Sequence, residues 1–377
     1  MGFDNIFNPQ YWAVVPFHFW SVVFFSFGCI VGSFLNVCIY RMPLDLSVVS
    51  PPSHCPHCKY AIPFYLNVPL LTWLSLRGKC KNCGASIKPR YFIVELLTGL
   101  AFLACWLAFG HASPWIAVVY CLFLAGLITA TFIDFEHFII PDEITFGGAA
   151  VGFVFSFFVP QLHGVSSSVA GAEKGLLGIA VGAGMVWFVL EFGYLAFGRQ
   201  KLKFLSPTKI VFTENFLRLD EKEIPYDDIF FDYLYRKFFY PKPKTIAFHA
   251  SLLEFVDRCY RDVDVRLSSS LLVIDGEKFD PAAVLHMEGE CVEIVVPREA
   301  MGFGDVTFMA AIGAFIGWQG AFFSLMASSI IGSVVGVALI LMKRSEWSSK
   351  IPYGPYIALA ATIWIFGGKN LFATFFH

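Results

Sequence analysis

The sequence predicts an all-α polytopic membrane protein of about eight transmembrane helices, with a cytoplasmic four-cysteine zinc-binding loop and a β-rich cytoplasmic insert. Three observations carry this. Of 377 residues, 57% are hydrophobic, 18% aromatic and only 15% charged, and the mean hydropathy of +0.65 is too high for an ordinary soluble domain. Eight apolar stretches approach the roughly 20 residues that cross about 30 Å of hydrocarbon. All but two of the 27 Lys and Arg, Lys174 and Lys369, fall in the three segments 41–90, 199–300 and 343–350.

The expected spans lie near 13–40, 91–110, 116–134, 144–160, 176–198, 304–320, 321–342 and 353–371. Gly320 is the only punctuation between the sixth and the seventh. The first nineteen residues contain no Lys or Arg, so they lack the basic start of a secretory signal, and the first span reads as retained. Threading eight spans puts the three cationic segments on one side, which the positive-inside bias makes cytoplasmic, with both termini external. The long segment 199–300 weighs little in that argument. The expected organisation is a first helix (1–40), a zinc-binding loop (41–90), helices two to five (91–198), an insert (199–300) and helices six to eight (301–377). A net charge of −2 points to no partner beyond the lipid bilayer, and no nucleic acid is expected. The sequence leaves the oligomeric state open.

Between the first two spans stand Cys55-Pro-His-Cys58 and Cys80-Lys-Asn-Cys83. Two such turns facing each other present four thiolates, the spacing of a structural zinc site with no open position for water. His54 and His57 read as solvent-exposed loop residues. The other cysteines are scattered, and in a reducing compartment no structural disulfide is expected. The apolar segment between the knuckles, Ile62 to Trp73, fits equally a stretch lying on the membrane face or the core of the zinc module.

Asp134 closes the third span and Asp305, in Gly302-Phe-Gly-Asp305, opens the sixth, so both carboxylates sit at the same membrane face. Ionisable groups at membrane depth are costly and tend to mark function. Two carboxylates brought together cannot both ionise; one keeps a proton while the other activates water against a peptide carbonyl. The glycines of the second motif allow close backbone approach. Taken singly, Asp134 also fits an interfacial anchor, and Asp305 a charge favoured at a helix N-terminus. Asp142, after Pro141, is expected to cap the fourth span. A membrane transporter or scaffold would account for the spans and the cysteines, but not for this pair of Asp residues.

The order of these motifs resembles the type IV prepilin peptidases, the leader peptidase and N-methyltransferase family. The resemblance runs through Gly32-Ser-Phe-Leu-Asn-Val37, Arg41 and Pro43, both cysteine knuckles, Arg90-Tyr91, Glu95, Ile133-Asp134, Ile140-Pro-Asp142, Met301-Gly-Phe-Gly-Asp305 and Pro352-Tyr-Gly-Pro355. It implies that Asp134 and Asp305 are the catalytic pair of an aspartyl protease of the bacterial cytoplasmic (inner) membrane, acting on the cytoplasmic side. The implied substrates are type IV prepilins or pseudopilins with a short basic leader, cut after a glycine. It also implies methyl transfer from S-adenosyl-L-methionine to the new N-terminus. The residues that hold the donor are left open; Asn36 and Glu95 are candidates only as buried polar groups. Glu136 fills an acidic position frequent in the family, whereas Thr307 stands where a basic residue is common.

The insert 199–300 departs from the family pattern. Lys209-Ile-Val-Phe212, Leu271-Leu-Val-Ile274 and Cys291 to Val296 read as strands, and Asp275-Gly276 as a hairpin turn. Residues 216–229 align weakly with 271–284, which suggests two similar β-turn-β units packed as a small domain. Recruitment of substrate or an assembly partner, and a tolerated insertion without a catalytic part, are both compatible with it.

Overall fold

The computed structural model describes residues 16–219, 222–230, 244–255, 258–281, 286–297, 302–342 and 351–376. The cationic segment 343–350, the first residues of the span at 13–40, and parts of the insert lie outside them. Helices are α1 (Phe17–Arg41), α2 (Leu71–Ser75), α3 (Arg90–Phe109), α4 (Pro114–His137), α5 (Asp142–Phe158), α6 (Ser168–Phe197), α7 (Tyr226–Phe230), α8 (Phe303–Leu341), α9 (Gly354–Ile363) and α10 (Lys369–Phe376). Two compact units emerge, one formed by Met1–Trp187 with Gly304–His377, the other by Phe188–Phe303.

Among the described residues, six helical segments are long and apolar enough to cross a bilayer: Phe17–Leu44, Arg90–Phe109, Pro114–His137, Ser168–Tyr194, Phe303–Leu341 and Gly354–Thr374. The stretch expected near 144–160 is α5, a helix of 17 residues. The sixth and seventh expected spans form one 39-residue element broken at Gly317, whose φ of 72° and ψ of 177° leave the helical region. At 1.5 Å per residue that element measures about 58 Å, about twice the thickness of the hydrocarbon. The break falls at Gly317 and not at Gly320, and glycine suits it because a φ of 72° with a ψ near 180° is hardly open to a residue with a Cβ. Gly320 serves packing: a Cβ there would lie 2.6 Å from Ile316 and 2.7 Å from Trp364.

Glycine contacts bring the helices of the first unit together. A Cβ on Gly178 would lie 2.0 Å from the Gly313 carbonyl oxygen, and one on Gly182 would lie 2.3 Å from that of Met309, so α6 and α8 touch backbone to backbone. Gly152 of α5 packs on Ala314 and Phe315 of α8, and Gly32 of α1 packs on Glu95 and Thr98 of α3. With no water to expel inside lipid, such close dispersion contacts are what hold helices together. At the break in α8, the Ser156 hydroxyl donates to the Ala314 carbonyl at 3.0 Å and lies 2.8 Å from His163 Nε2. This satisfies a carbonyl that the interrupted helix leaves without its usual partner. Burial, then the nearby Lys174 cation, push the His163 imidazole down to about 4.

The second unit is built on one antiparallel sheet of eight strands in the order β3-β2-β1-β8-β4-β5-β6-β7. Its strands are β1 (Arg199–Thr213), β2 (Phe216–Leu219), β3 (Lys222–Pro225), β4 (Thr245–Phe255), β5 (Arg258–Ser268), β6 (Leu272–Ile274), β7 (Glu277–Phe279) and β8 (His286–Pro297). The order reads the same from either end once β1–β4 are exchanged for β5–β8, so the sheet has a pseudo-twofold axis between β4 and β8. Registers repeat as well: Ile210 faces Leu219 as Val265 faces Ile274, and Leu217 faces Ile224 as Leu272 faces Phe279. Thr213 Oγ1 accepts from the Phe216 N–H and donates to its carbonyl, and Ser268 Oγ does the same with Leu271. β4 and β8 share one burial pattern over their first eleven residues but one. Asp275 and Gly276, at φ 47° and 88°, form the two-residue turn between β6 and β7, the geometry that matches strand twist. β1 and β8 pair along the sheet, so the segment leaves and rejoins the chain on neighbouring strands, which makes insertion at this point topologically cheap.

Candidate active site and metal centre

Asp134 sits on the last turn of α4, only 6% exposed. That helix ends because Phe138 turns into the left-handed region at φ 56° while its N–H still bonds the Asp134 carbonyl. The Asp134 carboxylate accepts a hydrogen bond from the Gly354 N–H at 2.9 Å, Oδ2 being the acceptor. Gly354 is the first residue of α9, whose opening N–H groups have no acceptor within their own helix and carry its positive dipole end. Asp134 therefore supplies from another helix what a capping side chain supplies locally. Asp305, 9% exposed, lies in the first turn of α8, so each carboxylate stands at a helix N-terminus.

Ile140 joins the two places. A Cβ on Gly354 would lie 2.8 Å from Asp134 Oδ2 and 3.1 Å from Ile140 Cδ1, whereas one on Gly304 would lie 3.6 Å from Ile140 Cβ. Packing therefore demands glycine at 354, while at 304 an ordinary contact would remain. Tyr353 anchors the turn before α9: its hydroxyl lies 2.9 Å from Ser328 Oγ and 3.0 Å from Ser329 Oγ, both on α8. The Pro-Tyr-Gly-Pro turn thus ties α8 to the Asp134 carboxylate. Sequence reading found the motif but not this role, because a backbone N–H leaves no side-chain signature.

The neighbouring acids have other partners or places. Glu136 forms an ion pair with Arg90 at the start of α3. Asp142 is the first residue of α5; Pro141 occupies the capping position and no side chain bonds there. The expected cap is therefore corrected: Asp142 complements the helix dipole from the first turn. The Thr307 hydroxyl donates back to the Gly304 carbonyl at 3.1 Å. Arg41 is buried and donates to the carbonyls of Ser47 and Pro51, closing the chain after α1. Asn36 donates to the Tyr91 carbonyl at 3.0 Å, and Glu95 accepts from the Leu70 N–H at 2.7 Å.

The four cysteines converge. One Sγ from each of Cys55, Cys58, Cys80 and Cys83 lies within 4.8 Å of all the others, with Cys55 to Cys83 at 3.9 Å and Cys58 to Cys80 at 4.0 Å. Sulfurs at about 2.3 Å from a tetrahedral ion are about 3.8 Å apart, close to both of these separations, so the four cysteines could hold a metal ion. The side-chain amide of Asn82, 3.5 Å away, is the largest influence drawing the Cys58 thiol down to about 6. Backbone N–H groups of Cys83 and Asn82 lower Cys80. Donors aimed at sulfur favour the thiolate that a metal needs. The fold places these turns as paired bridges, His54 with Ala61 and Lys79 with Ser86.

Two family models match. The bacterial peptidase A24 N-terminal domain covers residues 26–109, and the type IV leader peptidase family covers 121–205 and 271–337. The chain is 26% identical over 381 residues to a prepilin leader peptidase/N-methyltransferase of Aeromonas hydrophila, spanning 95% of this chain and 93% of that protein. A protein of the same description from Stutzerimonas stutzeri is 25% identical over 371 residues, 92% of this chain and 91% of the other. One from Myxococcus xanthus reaches 39% identity over 171 residues, 45% of this chain and half of that protein. No solved structure matches. With both halves of its helical unit matched in order and relatives aligned almost end to end, the chain belongs to the type IV leader peptidase family.

Proposed function

We propose that this chain is a membrane-embedded aspartyl endopeptidase that removes the leader of type IV prepilins or pseudopilins and methylates the new N-terminus. The observation that carries the reading is the pair of buried carboxylates at helix N-termini, Asp134 held by the Gly354 N–H and Asp305 in the first turn of α8, with Ile140 beside both Gly354 and Gly304. In this mechanism one carboxylate takes a proton from water and the other donates one to the scissile carbonyl oxygen, so the tetrahedral intermediate forms without a free hydroxide. Collapse of that intermediate passes a proton to the departing amine. Gly354 keeps the Asp134 oxygen in place through both steps. A buried site keeps bulk water out, which strengthens the interaction of each carboxylate with the reacting atoms.

The four cysteines would hold zinc as a structural ion, tying the loop together. The relatives' methyltransferase description supports S-adenosyl-L-methionine as methyl donor; it supplies an activated methyl group when bound. Counting α5 and the two pieces of α8 gives eight crossings. The positive-inside bias then supports a cytoplasmic active site in the bacterial inner membrane, with the loop and insert on the same side.

Intact-mass measurement of a model prepilin incubated with the purified enzyme and donor tests the function. The expected product has lost its leader and gained one methyl group. A product cut but unmethylated would retain the protease and sink the methyltransferase half; an intact substrate would sink both. The metal reading has its own check. Elemental analysis should find one zinc per chain, lost in Cys58→Ser together with protection of residues 53–87 against proteolysis. A zinc-free wild-type chain with the same protection would contradict it.

A further inference from the structure

We propose that the segment Val68–Leu74 is a re-entrant anchor seated in the acyl–headgroup boundary of the bilayer, with the lipid itself as the partner of its exposed apolar face. The argument begins with depth. The Leu70 N–H donates to Glu95 Oε2 at 2.7 Å, and Glu95 stands five residues into α3, about 7.5 Å along its axis. Glu95 belongs to the apolar crossing Arg90–Phe109, so the loop must descend beside the first turns of that helix to reach it. A tight turn makes the descent possible: the Leu71 N–H bonds the Pro69 carbonyl at 2.6 Å across Leu70, held at φ 59° and ψ −52°. Irregular backbone is tolerated at such depth where its polar groups are satisfied by protein, and the Glu95 carboxylate does this for Leu70.

One face of the segment is committed to protein. Trp73 packs on Phe92 of α3 with ring centroids 5.1 Å apart. The other face is exposed: Leu71 is 67% exposed and Leu74 55%, one helical turn apart on α2, with Val68 also exposed. Ile93, Leu97, Leu100 and Leu107 of α3 are exposed too, at the spacing of a single helical stripe, which is the lipid-facing surface of that crossing. Leu71 and Leu74 stand at the depth of its first turns, since their segment is held to α3 at Phe92 and Glu95. Cations follow closely in the chain, Arg77, Lys79 and Lys81, with Lys81 Nζ 5.7 Å over the Tyr65 ring. An apolar face rimmed by an aromatic ring and cations suits an anionic lipid surface. The exposure of Leu71 and Leu74 supports the membrane-face reading of Ile62 to Trp73.

The full-length protein in lipid nanodiscs gives the test. A small fluorescent amino acid is placed at Leu71, at Leu74 or, as reference, at Lys59, with zinc content checked for each. Nitroxide carried near the headgroup end of a lipid acyl chain should quench positions 71 and 74 several-fold more than position 59, and aqueous iodide should show the reverse order. For the unlabelled wild type, a lipid-borne carbene should label the peptide containing residues 68–74 in preference to that containing 54–61. Equal iodide quenching at all three positions overturns the proposal. So does carbene labelling without preference, or protection of residues 68–74 only on addition of a pilin-derived hydrophobic helix.

Discussion

Gly354→Ala is expected to reduce prepilin cleavage by about 10²-fold or more, because displacing a reacting group by an ångström costs that much. The added Cβ would stand 2.8 Å from Asp134 Oδ2 and 3.1 Å from Ile140 Cδ1, so the carboxylate must leave the position where it meets the Gly354 N–H. Relief by rotation of the backbone is blocked, since Pro355 follows and Tyr353 is held by Ser328 and Ser329. The loss should appear in kcat, with zinc content and the methylation of a leader-free pilin intact, because the displaced atoms are confined to the Asp134 carboxylate and Ile140. Tyr353→Phe removes the two serine contacts and leaves the Gly354 N–H, so its effect should be the smaller. Wild-type cleavage by Gly354→Ala would mean that the hydrogen bond seen on Asp134 does not hold the reactive geometry.

Much of this architecture is legible from composition and pattern, and the reasons are physical. Lipid requires long apolar runs, so five of the crossings stand out at once. α5 reads as a span by hydropathy and forms a helix of 17 residues, short of the length that marks the others. The continuity of α8 was less accessible: hydropathy alone cannot say whether two apolar runs are joined by a loop or by one glycine at φ 72°. Each four-residue cysteine turn carries its own geometry, so the four-cysteine cluster follows from spacing. In the insert, the strand pattern and the internal similarity of 216–229 to 271–284 were visible. The twofold arrangement was not, because it depends on β4 and β8 pairing across the two repeats. At the site, Asp134 and Asp305 were named from side-chain chemistry. The Gly354 N–H and the packing of Ile140 were missed because backbone donors and van der Waals contacts leave no residue-type code. Asp142 was misread for a related reason: a Pro-Asp pair fits both a capping side chain and a first helical turn, and only the backbone angles of Pro141 separate them.

The dyad is the centre of the account, and its most direct test is cleavage of a model prepilin in liposomes by the wild type, Asp134→Asn and Asp305→Asn. Replacing either carboxylate by an amide keeps its size and removes its capacity to take or give the proton. General acid and base catalysis accounts for about 10²- to 10⁴-fold in each case. Because the two groups act on one water, the double variant should be little worse than either single one, as members of one catalytic unit are not additive. Asn at 134 can still accept from Gly354, so the helix packing and the zinc content should remain those of the wild type. Loss of cleavage in both single variants, with methylation of a leader-free pilin retained, is the expected result. Cleavage at the wild-type rate by either one would show that its carboxylate is structural and would contradict the mechanism proposed for this chain.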